Sequence, residues 1–235
     1  MLSDLTIKRD KNYNLLLRVL LKARSLCAPF HRKKLNRTIR TQLRDIPFTI
    51  FSNNCLGGVF YHDAGRQFTT PLINTALDGP DFISFLKRPH HYLEHKMEFI
   101  TWPGHNYPIA RIDDIEVRFV HDHSTQEAEY KFKERAKRIV WENIFIIATN
   151  HDGLNTENLM KEFDQLPYKN KIMFVSKEYP EYPWAIYVPQ FKNRFQVRIM
   201  TNFADFFGRR YYETAFNIPG WIANNSSKKE TNKLI

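Results

Sequence analysis

Two short apolar runs limit what this chain can become: residues 46–51 (Ile-Pro-Phe-Thr-Ile-Phe) and residues 143–149 (Asn-Ile-Phe-Ile-Ile-Ala-Thr). Each is rich in β-branched and aromatic residues, and each stops abruptly in polar, glycine-containing sequence. The first runs into Ser52, Asn53, Asn54, Cys55, Leu56, Gly57 and Gly58; the second runs into Asn150, His151, Asp152 and Gly153. Short β-rich runs that end this way read as buried strands entering tight loops. In α/β folds the carboxyl ends of strands are where ligands bind.

Helix signals lie between and after these strands. Pro80, with Asp78 or Gly79 as N-cap, predicts a helix to about Glu94. Ser124 followed by Glu127 is a capping box opening a charged helix that reaches about Val140. A further helix is expected over 156–165. Strands over 98–102, 109–112 and 115–121, broken at Pro103-Gly104 and Asp113-Asp114, read as a meander. Strands at 171–176, 185–188 and 196–200 and a helix over 203–212 complete the body. With at least three strands joined by helical crossovers, the fold class is α/β.

A chain of 235 residues can bury one good core, or a core plus a smaller lobe. Cys27 and Cys55 belong to no CxxC pair and cannot form a disulfide framework, as expected of a reducing cytoplasm. The net charge of +10 is unevenly spread: residues 1–45 hold twelve Lys/Arg against Asp4, Asp10 and Asp45. The organisation expected is a basic helical arm over 1–45, an α/β body over 46–223 and a polar tail over 224–235. On the arm, Asn14, Arg18, Lys22 and Ser25 fall on one helical face, with Leu15, Leu16, Leu17, Val19, Leu20, Leu21 and Leu26 over the others. Its apolar runs are far below the ~20 residues that span a bilayer, and no secretory cleavage pattern follows. Such a helix either lies on an anionic membrane surface or docks its apolar face on the body. The nearly neutral body disfavours nucleic acid as a partner.

The segment 52–58 is the candidate ligand site, with Ser52, Asn53, Asn54, Cys55, Gly57 and Gly58 offering amides, a thiol and backbone N–H groups to a phosphate or carboxylate. It matches neither the P-loop nor the dinucleotide fingerprint, and a structural turn capped by Asn53 and Asn54 is the plain alternative. Cys55 as a nucleophile competes with Cys55 as an inert buried thiol. His121 and His123, two apart on a strand, would share a face, and His121 is the general-base candidate. No third group is spaced to complete a metal site with them. Arg135 and Arg138 would clamp phosphate, unless they form a solvated helix face with pairs such as Glu134–Arg138. Asp113, Asp114 and Glu116 motivate a rival reading as a metal-dependent nuclease.

The stretch from Phe48 to Gly58 resembles the opening motif of a bacterial domain family of unknown function, DUF1919, whose members are often described as exopolysaccharide or capsule biosynthesis proteins. The likeness continues through Pro80, Asp81, Phe82, Ile83, Ser84 and Phe85, and through Tyr107, Pro108, Ile109, Ala110, Arg111, Ile112, Asp113, Asp114 and Ile115. It resumes at Phe119, Val120 and His121, at Glu127 and Ala128, and at Arg135, Ala136, Lys137, Arg138 and Ile139. Leu56 and Phe132 stand where the family commonly has Trp. The resemblance implies a flavodoxin-like, mainly parallel three-layer sheet with a small α/β lobe inserted within about 95–145. It also implies a setting: bacterial surface-polysaccharide (capsule, exopolysaccharide or lipooligosaccharide) assembly at the cytoplasmic face of the inner membrane. The expected protein is thus a transferase, peripheral to that membrane through residues 1–45, that binds a sugar-phosphate or nucleotide-sugar ligand. A non-enzymatic scaffold of a glycan-assembly complex is the other rival. The resemblance names no cofactor.

Overall fold

In a computed structural model of the chain, the described residues are 15–151 and 153–227. Residues 1–14 of the arm, Asp152 and the tail from 228 lie outside them, as do the side chains of Leu15, Leu16, Leu17, Arg18, Leu20, Leu21 and Ser25.

The arm is one long helix, α1 (Leu15–Gln42), and leads into β1 (Thr49–Phe51) and α2 (Leu56–Asp63). Then come α3 (Gly79–Lys87), α4 (Pro89–Glu94), β2 (Glu98–Ile100), β3 (Ile109–Ile112), β4 (Ile115–Arg118) and α5 (Thr125–Ala136). The chain continues through β5 (Ile144–Thr149), α6 (Glu157–Asp164), β6 (Lys171–Val175) and β7 (Ala185–Tyr187) to α7 (Tyr211–Ala215) and α8 (Ile218–Asn225). Two sheets result: a parallel one in the order β1-β5-β6-β7, and an antiparallel one in the order β2-β3-β4. The four parallel strands follow chain order, whereas a flavodoxin order steps back past its first strand. No such reversal is present among the described strands.

The parallel sheet is buried on both faces, and the period of two along each strand divides its side chains between two cores. Ile50, Phe145, Ile147, Ile172 and Phe174 pack with Ile39 of α1 and Leu43 just after it, Phe60 and Tyr61 of α2, and Ile218 and Ile222 of α8. Phe51, Ile146, Ala148, Met173 and Val175 pack with Phe82 and Phe85 of α3 and Met160 and Phe163 of α6. The antiparallel sheet adds Ala110, Ile112 and Val117 to this second core. It enters the chain between β1 and β5, neighbours in the parallel sheet.

Four local expectations are corrected. The helix over 80–94 is two helices, because Pro89 has no N–H to continue the first and instead opens the second. The loop expected through Gly57 and Gly58 is helical from Leu56. Residues 196–200 pair with no strand among the described residues: the Val197 N–H is taken at 2.9 Å by Asn150 Oδ1. Residues 203–210 form no helix. Gly208 has φ +74°, and Asp205 Oδ1 accepts from the N–H groups of Phe207 (2.9 Å) and Arg209 (3.1 Å).

The arm is pinned by charge as well as by its apolar contacts. Arg32 Nη2 donates to Asp63 Oδ2 at 2.9 Å and Arg32 Nη1 to Glu213 Oε2 at 2.5 Å. Arg210 Nε donates to the same Asp63 oxygen at 2.7 Å, and Asn36 Nδ2 to its other oxygen at 3.2 Å. Asp63 is buried, and burial by itself raises its pKa. The Arg210 hydrogen bond and the charges of Arg210 and Arg32 outweigh that and hold the carboxyl below its usual value.

Candidate functional site

The site lies where β1 and β5 end side by side. Asn53 is fully buried, and its amide works as an extra rung between the strands: Nδ2 donates to the Thr149 carbonyl at 3.2 Å, and Oδ1 accepts from the Thr149 N–H at 3.1 Å. Asn54 continues the pattern, with Nδ2 donating to Thr149 Oγ1 at 2.7 Å and Oδ1 accepting from the Leu56 N–H at 3.0 Å. That last bond satisfies the first orphan donor of α2. Ser52 is buried and its hydroxyl has no hydrogen-bond partner among the described residues. A Cβ on Gly57 would come 3.2 Å from Ser52 Cβ and 3.4 Å from Ile50 Cγ2, so any larger residue would have to push the strand back by a few tenths of an ångström.

Cys55 is the residue this construction presents. It stands as N-cap of α2, and its Sγ lies 3.7 Å from Nε2 of His121. His121 arrives from the turn after β4, at the edge of the antiparallel sheet. Burial raises the Cys55 thiol above its ordinary pKa, with a backbone hydrogen bond working against it. The thiol is therefore protonated at neutral pH and needs a base to become nucleophilic. The imidazole beside it is such a base. In the first turn of α2 the N–H groups of Gly57 and Gly58 have no acceptor within the helix, and the positive end of the helix dipole lies there.

A cavity of about 250 Å³ opens on Cys55, lined by Asn54, Cys55, Leu56, Thr149, His151 and residues 198–201, while His121 stands outside this lining. It adjoins a second hollow of about 480 Å³ that shares His151, Arg198 and Ile199 and adds Arg194 and Phe195. Arg194 and Arg198 are exposed, and neither forms an ion pair among the described residues. A cleft with the Cys55 thiol in its wall and arginines along its rim suits an anionic ligand.

Of the residues singled out from sequence, the structure brings together Asn54, Cys55 and His121. Ser52, Asn53 and Gly57 lie beneath them as support, and Gly58 follows in the first turn of α2. Arg135 does not belong to a solvated face: it is buried, donates to the Ile73 carbonyl at 3.0 Å and stacks over Phe68. Burial lowers its pKa, with the charge of Asp122 opposing. Arg138 Nε is turned to the Glu134 carbonyl at 3.2 Å, not to the Glu134 carboxylate. Neither arginine lines the cleft, whose cations come from Arg194 and Arg198. Those two were missed because Arg194 sits in irregular chain with no periodicity to mark it and Arg198 in a run whose composition reads as a strand.

His121 and His123 occupy a turn, closed by the Asp122 N–H to the Phe119 carbonyl at 3.1 Å, so the strand argument for a shared face does not apply. Asp122 is buried and accepts from Lys131 Nζ at 2.7 Å. The nuclease carboxylates are separately engaged: Asp113 with His91, Asp114 with Arg88 and Tyr92, Glu116 with Arg111. Among the described residues no group of three or more His, Cys, Asp or Glu is placed to hold a metal ion.

The fold and site define an α/β protein with a thiol–imidazole pair at the carboxyl end of a parallel sheet. Residues 27–223 match the family model described as a domain of unknown function, DUF1919, and the chain belongs to that family. It is also 35% identical over 188 residues to an uncharacterized protein of Haemophilus influenzae, an alignment covering 80% of this chain and 90% of that protein.

Proposed function

We propose that this protein is a transferase of bacterial surface-polysaccharide assembly that takes a sugar-phosphate or nucleotide-sugar donor in the cleft beside Cys55. The observation that carries the reading is the 3.7 Å approach of His121 Nε2 to Cys55 Sγ, a thiol that itself lines a cleft bearing Arg198. The polysaccharide setting rests on the family resemblance alone. In this reading Arg194 and Arg198 attract the donor's phosphates, and the first turn of α2 faces the charge that develops during transfer.

His121 takes the thiol proton as Cys55 attacks the donor. The bond from sulfur to the transferred group forms as the bond to the phosphate leaving group breaks, and His121 returns the proton to that leaving group. A hydroxyl acceptor then passes its proton to His121 and takes the group from sulfur, and His121 hands that proton to the departing thiolate, which restores the thiol and the free imidazole.

A thermal-shift series with nucleotide-sugars, sugar phosphates and free nucleotides tests the cleft. Stabilisation by one donor class, lost in Arg198→Ala and kept in Cys55→Ala, supports it and identifies the class. Stabilisation that survives both Arg198→Ala and Asn54→Ala rules this cleft out. A donor that binds but is never turned over, by wild type as by Cys55→Ala, moves the protein to the scaffold class.

A further inference from the structure

The outer face of α1 is both apolar and basic. At 3.6 residues per turn Val19, Leu26, Phe30, Lys33 and Arg37 fall within about 60° of arc, on the side opposite Ala28, and Arg44 follows in the turn after the helix. Ala28, Arg32, Ile39 and Leu43 are buried and face the body. Val19, Leu26 and Phe30 are 56%, 63% and 78% exposed, so they are not the stripe that docks the helix on its own core. Lys33, Lys34, Arg37 and Arg44 are exposed, and none is in an ion pair among the described residues. Further along the helix Lys33, Asn36, Arg37 and Arg40 line a hollow of about 300 Å³. On the flank, Phe207 is 64% exposed beside His31.

We infer that α1 is an interfacial helix that seats the protein on an anionic lipid bilayer. Val19, Leu26 and Phe30 enter the boundary between headgroups and acyl chains, and lipid phosphates occupy the hollow between Lys33, Arg37 and Arg40. Helices of this kind bury their apolar face about 5–10 Å into that boundary, and anionic lipid adds to their affinity. No described helix is long and apolar enough to cross a membrane. Charge selects the occupant. A second copy would set one basic face against another, and a nucleic acid would engage the cations but gain nothing from three exposed apolar side chains. The inference stands apart from the cleft and does not depend on it.

Co-sedimentation of the full chain with phosphatidylcholine vesicles, with and without phosphatidylglycerol, tests it. Binding is expected only with phosphatidylglycerol and is expected to weaken with salt. The double variant Leu26→Ser/Phe30→Ser should lose at least about tenfold in affinity, and Lys33→Glu/Arg37→Glu should abolish binding. All four side chains are exposed, so circular dichroism and melting temperature should match wild type and separate a surface effect from unfolding. The inference is overturned if wild type ignores both vesicle types. It is equally overturned if the apolar variant binds as wild type does, if that variant instead converts a dimer to a monomer, or if duplex DNA displaces the protein from vesicles at equal phosphate concentration.

Discussion

The Asn53 side chain is hydrogen-bonded at both ends to the main chain of Thr149, so the ladder between β1 and β5 is extended by an amide that is not backbone. Both partners are buried. Asn53→Ala leaves a buried N–H and a buried C=O unpaired and should cost about 2–4 kcal/mol. Urea unfolding of the variant reads this directly, and a loss below about 1 kcal/mol would mean that water replaces the amide.

Asp63 should act as an acid-sensitive clasp on the arm. Its folded pKa is lowered, so it contributes stability above the ordinary carboxylate value of about 4, and that contribution is lost as pH falls through the folded value. Asp63→Asn leaves Arg32 and Arg210 facing a neutral group and should cost about 3–5 kcal/mol at pH 7. Below that pH window the difference between variant and wild type should shrink. A constant difference from pH 7 to pH 3 would contradict the assignment.

Cys55 and Cys27 offer an internal comparison. Cys27 is exposed and Cys55 is half-buried beside its imidazole. With iodoacetamide at neutral pH, His121→Ala should slow labelling of Cys55 at least about tenfold and leave Cys27 unchanged. Mass spectrometry of the two peptides resolves the sites. Equal slowing at both cysteines would point to a global change, and no slowing would show that His121 is not the base.

Gly208 holds the loop before α7 against the arm. Its φ is positive, and a Cβ there would run into the Ala28 carbonyl oxygen and the Arg32 N–H. Gly208→Ala should therefore cost about 1–3 kcal/mol and expose the α1 contact to protease. Limited trypsin digestion, with cleavage first at the basic residues of α1, is the expected readout; wild-type resistance would place the strain elsewhere.

Much of the framework was legible in the sequence because it is local. The runs of β5 and β6 carry their burial in their composition, and Ser124 caps α5 by accepting from the Glu127 N–H at 3.2 Å. The Glu127 carboxylate reaches the His123 N–H at 3.1 Å, not that of Ser124 as a full box would. The failures share a cause, since each depends on a partner distant in the chain. Residues 196–200 have a strand's composition, yet Asn150 takes the hydrogen bond that a neighbouring strand would need. The glycines at 57 and 58 read as loop because their value as a close-packed helix start is visible only once Ser52 and Ile50 lie beneath them. Arg135 looked like a surface cation because helical spacing says nothing about what a neighbouring segment, here Phe68 and Ile73, lays across that face. Cys55 and His121 are 66 residues apart, and no spacing rule could have joined them.

Because β2, β3 and β4 enter the chain between two adjacent strands of the other sheet, the histidine reaches its cysteine only after both sheets have closed on a common core. A nascent or damaged chain thus carries Cys55 without its imidazole. The 3.7 Å contact between the two is a report on the closure of both sheets, made by two side chains that neither sheet holds alone.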